Sequence, residues 1–341
     1  MRADFRVIEM TIKAIFVGFG NVGRTLCKEI FRCGIDIEIR GAISSKGGVL
    51  IEEKDDLKAL CELADRDLKL DRHPKFKEGF EVEGLVENVK PDLAYISLPP
   101  NYITGEPNKT IYRKLVDAGV NIIIADKTVL ALEYRDFMDY ASRRKVFVGY
   151  RATVAAGTPF TDVARGLRGR EITRIKAMFN VTSNYILSLM EEGLSYEEAV
   201  KKTVEIKLAE PDPRMDTHGW DLAAKLAIIT SILGENLGIH EIVREPLEKV
   251  SQSDVARARE RGQRIMYLGE ADLEKRSYYV GPREIPLSHP FASIRGMYSG
   301  LEAIIEGDRM TIIGPAGPIR RTALVMITDT LEFLEWLAMR S

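Results

Sequence analysis

Residues 209–227, with the sequence AEPDPRMDTHGWDLAAKLA, combine several carboxylates with a lysine at the start of an apolar run. Asp221 and Lys225 are four residues apart, a spacing that places both side chains on one face of a helix. Carboxylates can bind a substrate ammonium group, and an amine of lowered pKa can accept and return a proton. The alternative is a charged loop followed by a solvated ion pair, because charge pairs on helices usually face water.

A second chemical signal is the stretch TIKAIFVGFGNVGRTLCKEIFRCG, which places three glycines between a predicted strand and a predicted helix. Gly18, Gly20 and Gly23 follow the G-x-G-x-x-G spacing directly after the apolar residues 11–17, and Gly34 ends the helix. In this context the spacing is typical of a dinucleotide-binding turn, in which the second glycine lets the backbone approach a pyrophosphate. The helix N-terminus then offers unpaired N–H groups to phosphate. A tight turn without a ligand is the alternative.

Strands and helices then alternate up to about residue 150. PDLAYISLPP, NIIIAD and KVFVGY are predicted strands, and KTIYRKLVDAGV is a predicted amphipathic helix. Ligands of open α/β sheets lie beyond the carboxyl ends of the strands. We therefore expect ligand contacts from Ser97 to Asn101, from Asp126 and Lys127, and from the loop between Arg151 and Thr158.

After residue 150 the pattern changes. RIMYLGEADLE, RSYYVGPREIP, GLEAIIEG and RMTIIGP are predicted strands of a mostly antiparallel sheet. The final segment, RRTALVMITDTLEFLEWLAM, is predicted to be a long helix that returns to the nucleotide domain. The sequence thus predicts an α/β protein with a Rossmann-type nucleotide-binding domain over residues 1–150, an α+β substrate domain over 151–318 and a C-terminal helix over 319–341.

Composition and charge narrow the classes of function. A chain of 341 residues suggests two domains, and its net charge of −2 does not favour nucleic acid or a membrane surface as the main partner. Residues 1–9 are predicted to be a short tail, because Met10 stands directly before the first predicted strand, and MRADFRVIEM lacks the apolar core of a secretory signal. Cys27, Cys33 and Cys61 indicate reduced thiols in a cytoplasmic protein, since an odd, clustered set does not form a disulfide framework.

The end of the second strand, DIEIRGAIS, carries the prediction about the nucleotide. The selecting positions there are Ser44, Ser45 and Lys46, and none of them is acidic. Two hydroxyls and an ammonium group suit a 2′-phosphate, whereas a carboxylate would favour the ribose hydroxyl of NAD. We expect NADP to bind more tightly than NAD, with NAD also accepted. The alternative is that Lys46 is a solvated loop residue.

Taken together, these segments resemble homoserine dehydrogenase over nearly the whole chain. The most specific match is AEPDPRMDTHGWDLAAKLAII, which resembles the Glu…Asp…Asp…Lys signature of that family. GFGNVG resembles its nucleotide loop, YRATVAAGTP its cation loop, FNVTSNYIL its substrate loop and GPAGPIRRTA its C-terminal glycine loop. We expect the short, monofunctional form without a regulatory extension.

The resemblance implies interconversion of L-homoserine and L-aspartate 4-semialdehyde with NAD(P), in threonine and methionine biosynthesis, by a homodimer whose middle sheets pair. Lys127 and Lys225 both qualify as the acid/base, Lys127 being favoured, with Asp221 as a polarising partner. The implied substrate contacts are Glu210, Asp216, Thr182 and Asn180. The implied nucleotide contacts are Gly18, Phe19, Gly20, Asn21, Val22, Gly23, Ser44, Ser45, Lys46, Leu98, Pro99, Lys127 and Gly317. A sodium or potassium ion would bind the backbone carbonyls of Arg151, Val154, Ala156 and Thr158.

Four positions depart from the family pattern and keep other functions open. Asp126 replaces an asparagine, Arg151 a glutamate, and Val181 and Ala155 replace glycines. One alternative is therefore an oxidoreductase acting on a related amino acid or semialdehyde. Another is a nucleotide-sensing protein without turnover, against which the intact set of polar site residues argues: Lys127, Glu210, Asp216, Asp221 and Lys225.

Overall fold

The computed structural model describes residues 11–340, so the tail predicted for residues 1–9 lies outside the described residues. The chain divides into two compact units. In the described part of the chain, the first unit contains residues 11–126, 137–153 and 318–340, and the second contains residues 127–136 and 154–317. Among the described residues, no helix is long and apolar enough to cross a membrane.

The first unit is an α/β sandwich around a seven-stranded sheet. Its strands are β1 (Lys13–Val17), β2 (Glu38–Ser44), β3 (Gly47–Leu50), β4 (Lys77–Glu78), β5 (Leu93–Ile96), β6 (Asn121–Ile124) and β7 (Val148–Gly149). Its helices are α1 (Asn21–Cys33), α2 (Lys54–Asp65), α3 (Val82–Val89), α4 (Asn108–Asp117) and α12 (Ile319–Ala338). Helix α5 (Thr128–Arg143) is divided between the two units and has a non-helical residue, Glu133, inside it.

Strand order explains where this unit can hold a ligand. The order is β4-β3-β2-β1-β5-β6-β7, and the neighbouring pairs β2–β1, β1–β5, β5–β6 and β6–β7 are parallel. The order reverses between β1 and β5, and the crevice beyond the carboxyl ends of those strands is the usual ligand position in such sheets. β3 and β4 pair antiparallel next to β2, which the sequence patterns did not predict.

Apolar spacing accounts for the core of the first unit. β1 buries four consecutive residues, as expected for a strand covered on both faces. Leu26 and Ile30 of α1 are one helical turn apart and lie in the same cluster as Met326 and Phe333 of α12. Hydrophobic periodicity therefore accounts for the α/β class of this unit, and residues of α12 complete its core.

The second unit is built around a six-stranded sheet. Its strands are β8 (Ile172–Met178), β9 (Val243–Arg244), β10 (Gln263–Asp272), β11 (Ser277–Pro286), β12 (Tyr298–Ile305) and β13 (Asp308–Pro315). Its further helices are α6 (Phe160–Gly166), α7 (Val181–Glu191), α8 (Tyr196–Glu205), α9 (Arg214–Thr217), α10 (Trp220–Ile232) and α11 (Gln252–Glu260). The order is β13-β12-β8-β10-β11-β9, and the pairs are antiparallel except that between β9 and β11.

Two features of this unit differ in how well local sequence predicts them. Ser195 and Glu198 form a capping box at the start of α8, and their Ser-x-x-Glu spacing is visible in the local sequence. The charged segment before α10 contains the short helix α9 (Arg214–Thr217), which the sequence patterns did not indicate. Helix α10 is buried on nearly every side rather than on one face, so polar groups that it carries face protein more than water.

Candidate active site

The glycine turn follows β1 and leads into α1. Gly18 has a φ of +95°, in the left-handed region that favours glycine, and a Cβ there would lie 2.4 Å from the carbonyl oxygen of Ser97. A Cβ on Gly23 would lie 2.5 Å from the carbonyl oxygen of Gly18. A Cβ on Gly20 would meet no atom within 4 Å, and α1 begins without a side-chain cap. This open space beside uncapped N–H groups fits a pyrophosphate.

Side chains hold the turn from both ends. The Ser97 hydroxyl donates to the carbonyl oxygen of Gly18 at 2.9 Å. Arg24 donates to Asn21 Oδ1 at 2.6 Å and to the carbonyl oxygen of Phe19 at 3.4 Å. Phe19 is buried, so its predicted contact with the nucleotide can come only from its backbone. The sequence patterns did not single out Arg24, although a cation in the first turn of this helix could have been noticed.

The predicted nucleotide contacts Leu98 and Pro99 follow β5. Asn108 donates to the carbonyl oxygen of Pro99 at 3.1 Å and to Asp126 Oδ2 at 2.9 Å. The Tyr112 hydroxyl donates to the same Asp126 oxygen at 3.1 Å. Burial, together with the charge of Asp126, raises the pKa of Tyr112 well above its ordinary value. Asp126 thus anchors this segment through Asn108.

The three positions predicted to select the nucleotide lie at the tight turn between β2 and β3. The Ser44 hydroxyl donates to the carbonyl oxygen of Gly47 at 3.1 Å and accepts from the N–H of Lys46 at 3.4 Å. The Lys46 ammonium donates to Asp71 Oδ2 at 3.0 Å. Ser45 is exposed. The Lys46 side chain is 64 % exposed, so the interpretation of Lys46 as a solvated loop residue stays open, but it has an ionic partner that no sequence motif connects to it.

The segment 209–227 brings the predicted catalytic residues together in the second unit. Lys225 Nζ lies 2.6 Å from Asp221 Oδ2, and Lys127 Nζ lies 3.5 Å from Asp221 Oδ1. Lys225 also donates to the carbonyl oxygen of Phe179 at 2.7 Å. The side chains of Lys127, Asp221 and Lys225 are only 20 %, 19 % and 14 % exposed. The interpretation of Asp221 and Lys225 as a solvated surface pair was therefore wrong.

Asn180 connects this cluster to helix α7. Its amide nitrogen donates to Asp216 Oδ1 at 2.6 Å and to Asp221 Oδ2 at 3.1 Å. Its amide oxygen accepts from the N–H of Ser183 at 2.9 Å and so caps α7. Since Asn180 is buried and its amide is engaged on both sides, it fixes the two carboxylates relative to the helix.

The two carboxylates have opposite pKa shifts. Burial raises the pKa of Asp216, and the negative charge of Asp221 adds to the effect. Burial also opposes ionisation of Asp221, but the charges of Lys225 and Lys127 outweigh it and lower the pKa of Asp221 to about 2. Asp221 is consequently ionised at neutral pH, whereas Asp216 takes up a proton more readily than an exposed aspartate.

The remaining predicted substrate residues differ in their surroundings. Thr182 is buried in the first turn of α7, and its hydroxyl donates to the carbonyl oxygen of Leu208 at 3.3 Å. Val181, which replaces a family glycine, is half-buried as the first residue of the same helix. Glu210 is exposed and, within the described residues, forms no hydrogen bond or ion pair. Its predicted contact with the substrate stays a prediction.

The predicted cation loop spans residues of both units. Arg151 belongs to the first unit, where it donates to Asp329 Oδ1 at 2.7 Å and also pairs with Glu332. Ala155 of the second unit has a φ of +42°, a backbone conformation that favours the glycine it replaces. No cluster of three or more His, Cys, Asp or Glu side chains with metal-ligand geometry occurs among residues 11–340. The proposed ligands are carbonyl oxygens, so the cation assignment stays a prediction.

Comparison with known proteins assigns the chain to a family. The family model described as homoserine dehydrogenase matches residues 160–331. A homoserine dehydrogenase from Sulfurisphaera tokodaii is 30 % identical over 313 residues, which are 90 % of this chain and 94 % of that protein. The chain belongs to the homoserine dehydrogenase family.

Other family members align over similar lengths. The homoserine dehydrogenase of Methanocaldococcus jannaschii is 28 % identical, with 93 % of this chain and 97 % of that protein covered. A protein of Pseudomonas canavaninivorans named NAD(+)-dependent homoserine dehydrogenase is 26 % identical, with 94 % and 95 % covered. The homoserine dehydrogenase match at residues 160–331 includes the Asn180, Asp216, Asp221 and Lys225 cluster but not Lys127 or the glycine turn.

Solved structures share the fold. The crystal structure of a putative homoserine dehydrogenase from Archaeoglobus fulgidus has a TM-score of 0.82 and 26 % identity, covering 95 % of this chain and 99 % of that one. A hyperthermophilic archaeal homoserine dehydrogenase in complex with NADPH has a TM-score of 0.79 and 24 % identity, covering 95 % and 97 %. The Rossmann-type domain followed by a second domain is therefore the architecture of homoserine dehydrogenases.

Two substitutions in the glycine turn should separate the effect on folding stability from the effect on nucleotide binding. Gly23→Ala places a Cβ against the backbone of Gly18, so we expect it to lower the free energy of unfolding by about 1–3 kcal/mol, the usual cost of overpacking. Gly20→Ala has room for the extra methyl group, so its thermal midpoint should stay near that of the unchanged protein while nucleotide binding weakens. Thermal unfolding and calorimetric titration measure the two effects. Equal nucleotide affinity in Gly20→Ala would contradict the assignment of the pyrophosphate position.

Proposed function

We propose that this chain catalyses the NAD(P)-dependent interconversion of L-homoserine and L-aspartate 4-semialdehyde, a step of threonine and methionine biosynthesis. The observation that carries the proposal is the Asp221 carboxylate between the amines of Lys127 and Lys225. Oxidation of an alcohol needs a group that accepts the hydroxyl proton, and the cluster supplies two amines for that task. The substrate is a small amino acid, for whose ammonium group nearby carboxylates are suitable partners.

The reaction divides between the cofactor and the side chains. The nicotinamide, when bound, supplies the acceptor for the hydride that leaves the alcohol carbon, and in the reverse direction it supplies the hydride. The hydroxyl proton passes to a lysine amine, and the carbon–oxygen double bond forms as the hydride leaves. In reduction the lysine ammonium returns that proton to the oxygen.

We assign the proton transfer to Lys127. Lys225 directs hydrogen bonds of 2.6 Å and 2.7 Å to Asp221 and to the carbonyl oxygen of Phe179, which commits two of its three donors. Lys127 Nζ lies 3.5 Å from Asp221 and is held less closely. Lys225 then polarises the substrate oxygen, and Asp221 balances the charge of both amines.

The other predicted substrate residues complete this proposal. Glu210 and Asp216 face the substrate ammonium and Thr182 also contacts the substrate, with Asn180 holding Asp216 and Asp221 in place. Glu210 is exposed and forms no ion pair within the described residues, so its carboxylate is available to a cation. This supports Glu210 as a contact for the substrate ammonium.

The cofactor is a nicotinamide dinucleotide, and we propose that NADP binds more tightly than NAD. Ser44, Ser45 and Lys46 occupy the turn after β2, where a 2′-phosphate would lie. Lys46 supplies the positive charge, although it must share that charge with Asp71. The pyrophosphate is assigned to the uncapped start of α1.

The proposal extends to assembly and to a cation. The first unit would bind the nucleotide, and the second would bind the substrate and pair two copies of the chain into a homodimer. Tyr298 and Ile313, large apolar residues on the neighbouring strands β12 and β13, are exposed, which supports pairing through this sheet. A sodium or potassium ion at the carbonyl oxygens of Arg151, Val154, Ala156 and Thr158 remains part of the proposal.

Replacing each lysine tests the catalytic assignment. We expect Lys127→Ala and Lys225→Ala each to lower kcat by about 100-fold or more, the usual contribution of a general acid or base. Lys249→Ala is a matched control, because Lys249 is an exposed lysine of the same unit. Absorbance at 340 nm with L-homoserine and either nucleotide gives kcat, and calorimetry gives nucleotide affinity, which should hardly change in Lys225→Ala, because Lys225 is not among the predicted nucleotide contacts. Near-normal turnover in both variants would remove the lysines from the mechanism.

Glu210→Gln tests the contact with the substrate ammonium. The change preserves shape and removes the charge, so KM for L-homoserine should rise severalfold while nucleotide affinity is kept, since the lost interaction is with substrate alone. Glu205→Gln removes an exposed carboxylate only five residues upstream and should leave KM unchanged. The same KM in Glu210→Gln and in the unchanged protein would return Glu210 to the role of a solvated surface residue.

Lys46→Glu tests the nucleotide preference. Reversing this charge should weaken NADP binding by about tenfold or more and affect NAD much less, because only NADP carries the 2′-phosphate. Isothermal titration calorimetry of the unchanged protein should first give a lower Kd for NADP than for NAD. An equal or lower Kd for NAD would contradict the proposed preference.

A further inference from the structure

The ion pair between Lys46 and Asp71 lies at a place where the fold normally reads the nucleotide ribose. β2 ends at Ser44, and the Lys46 ammonium two residues later is 3.0 Å from Asp71 Oδ2. In Rossmann-type folds the group at the end of the second strand decides between a ribose 2′-hydroxyl and a 2′-phosphate. This chain places an acid there by a tertiary contact, since Asp71 comes from a 3₁₀ turn over Leu70–Arg72 rather than from the strand.

The backbones on both sides of the pair are fixed. The carbonyl oxygen of Lys46 accepts from the N–H of Gly79 at 2.9 Å, which ties the turn to the start of the segment after β4. Asp71 follows Leu70, which is buried in the hydrophobic core, and precedes His73, whose ring contacts the carbonyl oxygen of Asp56 at 3.0 Å. A ligand can therefore separate the pair by rotating the Lys46 side chain without rearranging either segment.

This position carries the negative charge of Asp71 beside the positive charge of Lys46. The hydrogen bond from Lys46, and the positive charges of Lys46, Arg72 and Lys69, lower the pKa of Asp71, so its carboxylate is ionised at neutral pH. An ionised carboxylate accepts a hydrogen bond from a ribose 2′-hydroxyl and repels a phosphate. The Lys46 side chain is 64 % exposed and that of Asp71 is 25 % exposed, so both groups can be reached by a ligand.

We propose that Asp71 is a specificity-determining residue for the nicotinamide nucleotide. Asp71 holds Lys46, and a 2′-phosphate must draw Lys46 away from a carboxylate that also repels the phosphate. A ribose 2′-hydroxyl meets no such opposition and gains an acceptor. Asp71 thereby limits the margin by which NADP binds more tightly than NAD. This inference rests on the proposed function, because it needs a nicotinamide dinucleotide at the end of β2.

Asp71→Asn is the direct test, because it keeps the shape of the side chain and removes its charge. We expect the Kd for NADP, measured by calorimetry, to fall roughly tenfold, the scale of one charge interaction that water largely screens. The Kd for NAD should stay constant or rise, since an acceptor for the 2′-hydroxyl is weakened. The gain for NADP should shrink as salt is raised, because this interaction is partly exposed to water.

Glu38→Gln is the matched control. Glu38 lies at the opposite, amino end of β2 and pairs with Arg40 at 2.9 Å. The substitution therefore removes one carboxylate from one ion pair and leaves the ribose position unchanged. Its ratio of the two Kd values should equal that of the unchanged protein. Asp71→Ala gives a second measurement of the ratio if Asp71→Asn has a lowered thermal midpoint.

The outcomes separate the inference from the proposed function. An unchanged ratio in Asp71→Asn and Asp71→Ala, with both nucleotides still bound, overturns the role of Asp71 and leaves the proposed function intact. A ratio that changes equally in Glu38→Gln also overturns it, because the effect would then be one of net charge. Failure of the unchanged protein to bind either nucleotide would overturn the proposed function itself and the inference with it.

Discussion

The arrangement of the candidate active site depends on the charge of Asp221. Lys225 lies on helix α10, which is buried on nearly every side, and the Lys127 side chain is also mostly buried, so both ammonium groups need a nearby negative charge. One carboxylate between two amines leaves an excess of positive charge, and Asp216 is close enough to Asp221 for their charges to interact. The site is therefore a balanced set of charges in which removing one member changes the ionisation of the others.

The same charge also organises the backbone around the site. Asn180 donates to Asp221 and Asp216 while its oxygen caps α7. The two carboxylates therefore help to fix the position of the junction between β8 and α7. Lys225 donates to the carbonyl oxygen of the neighbouring Phe179, which holds that junction from the side of α10. Preorganisation of this kind lets an enzyme stabilise charge without reorienting its groups during the reaction.

Local sequence patterns predict the parts of this structure that depend on nearby residues. The glycine turn, the capping box at Ser195 and the alternation of strands follow from spacing within a few residues. The contact of Lys46 with Asp71 joins residues 25 apart, and Asn180 reaches Asp221 across 41 residues. Such contacts depend on how the chain folds back, so the sequence indicated which residue types could act but not which of them would be paired or buried.

The departures from the family pattern show how replacements are accommodated. The resemblance implies an asparagine at the position of Asp126, and Asp126 accepts hydrogen bonds from Asn108 and Tyr112, two donors that suit a carboxylate. Arg151 stands in place of a glutamate and pairs with Asp329 on the last helix. Each replacement changes the charge at its position. In the first unit, hydrogen-bond donors lie beside the carboxylate of Asp126, and a carboxylate lies beside the guanidinium of Arg151. A residue that departs from a family motif is thus best judged with its tertiary partners, because a reversed charge with a complementary neighbour can preserve the local backbone that the motif supports.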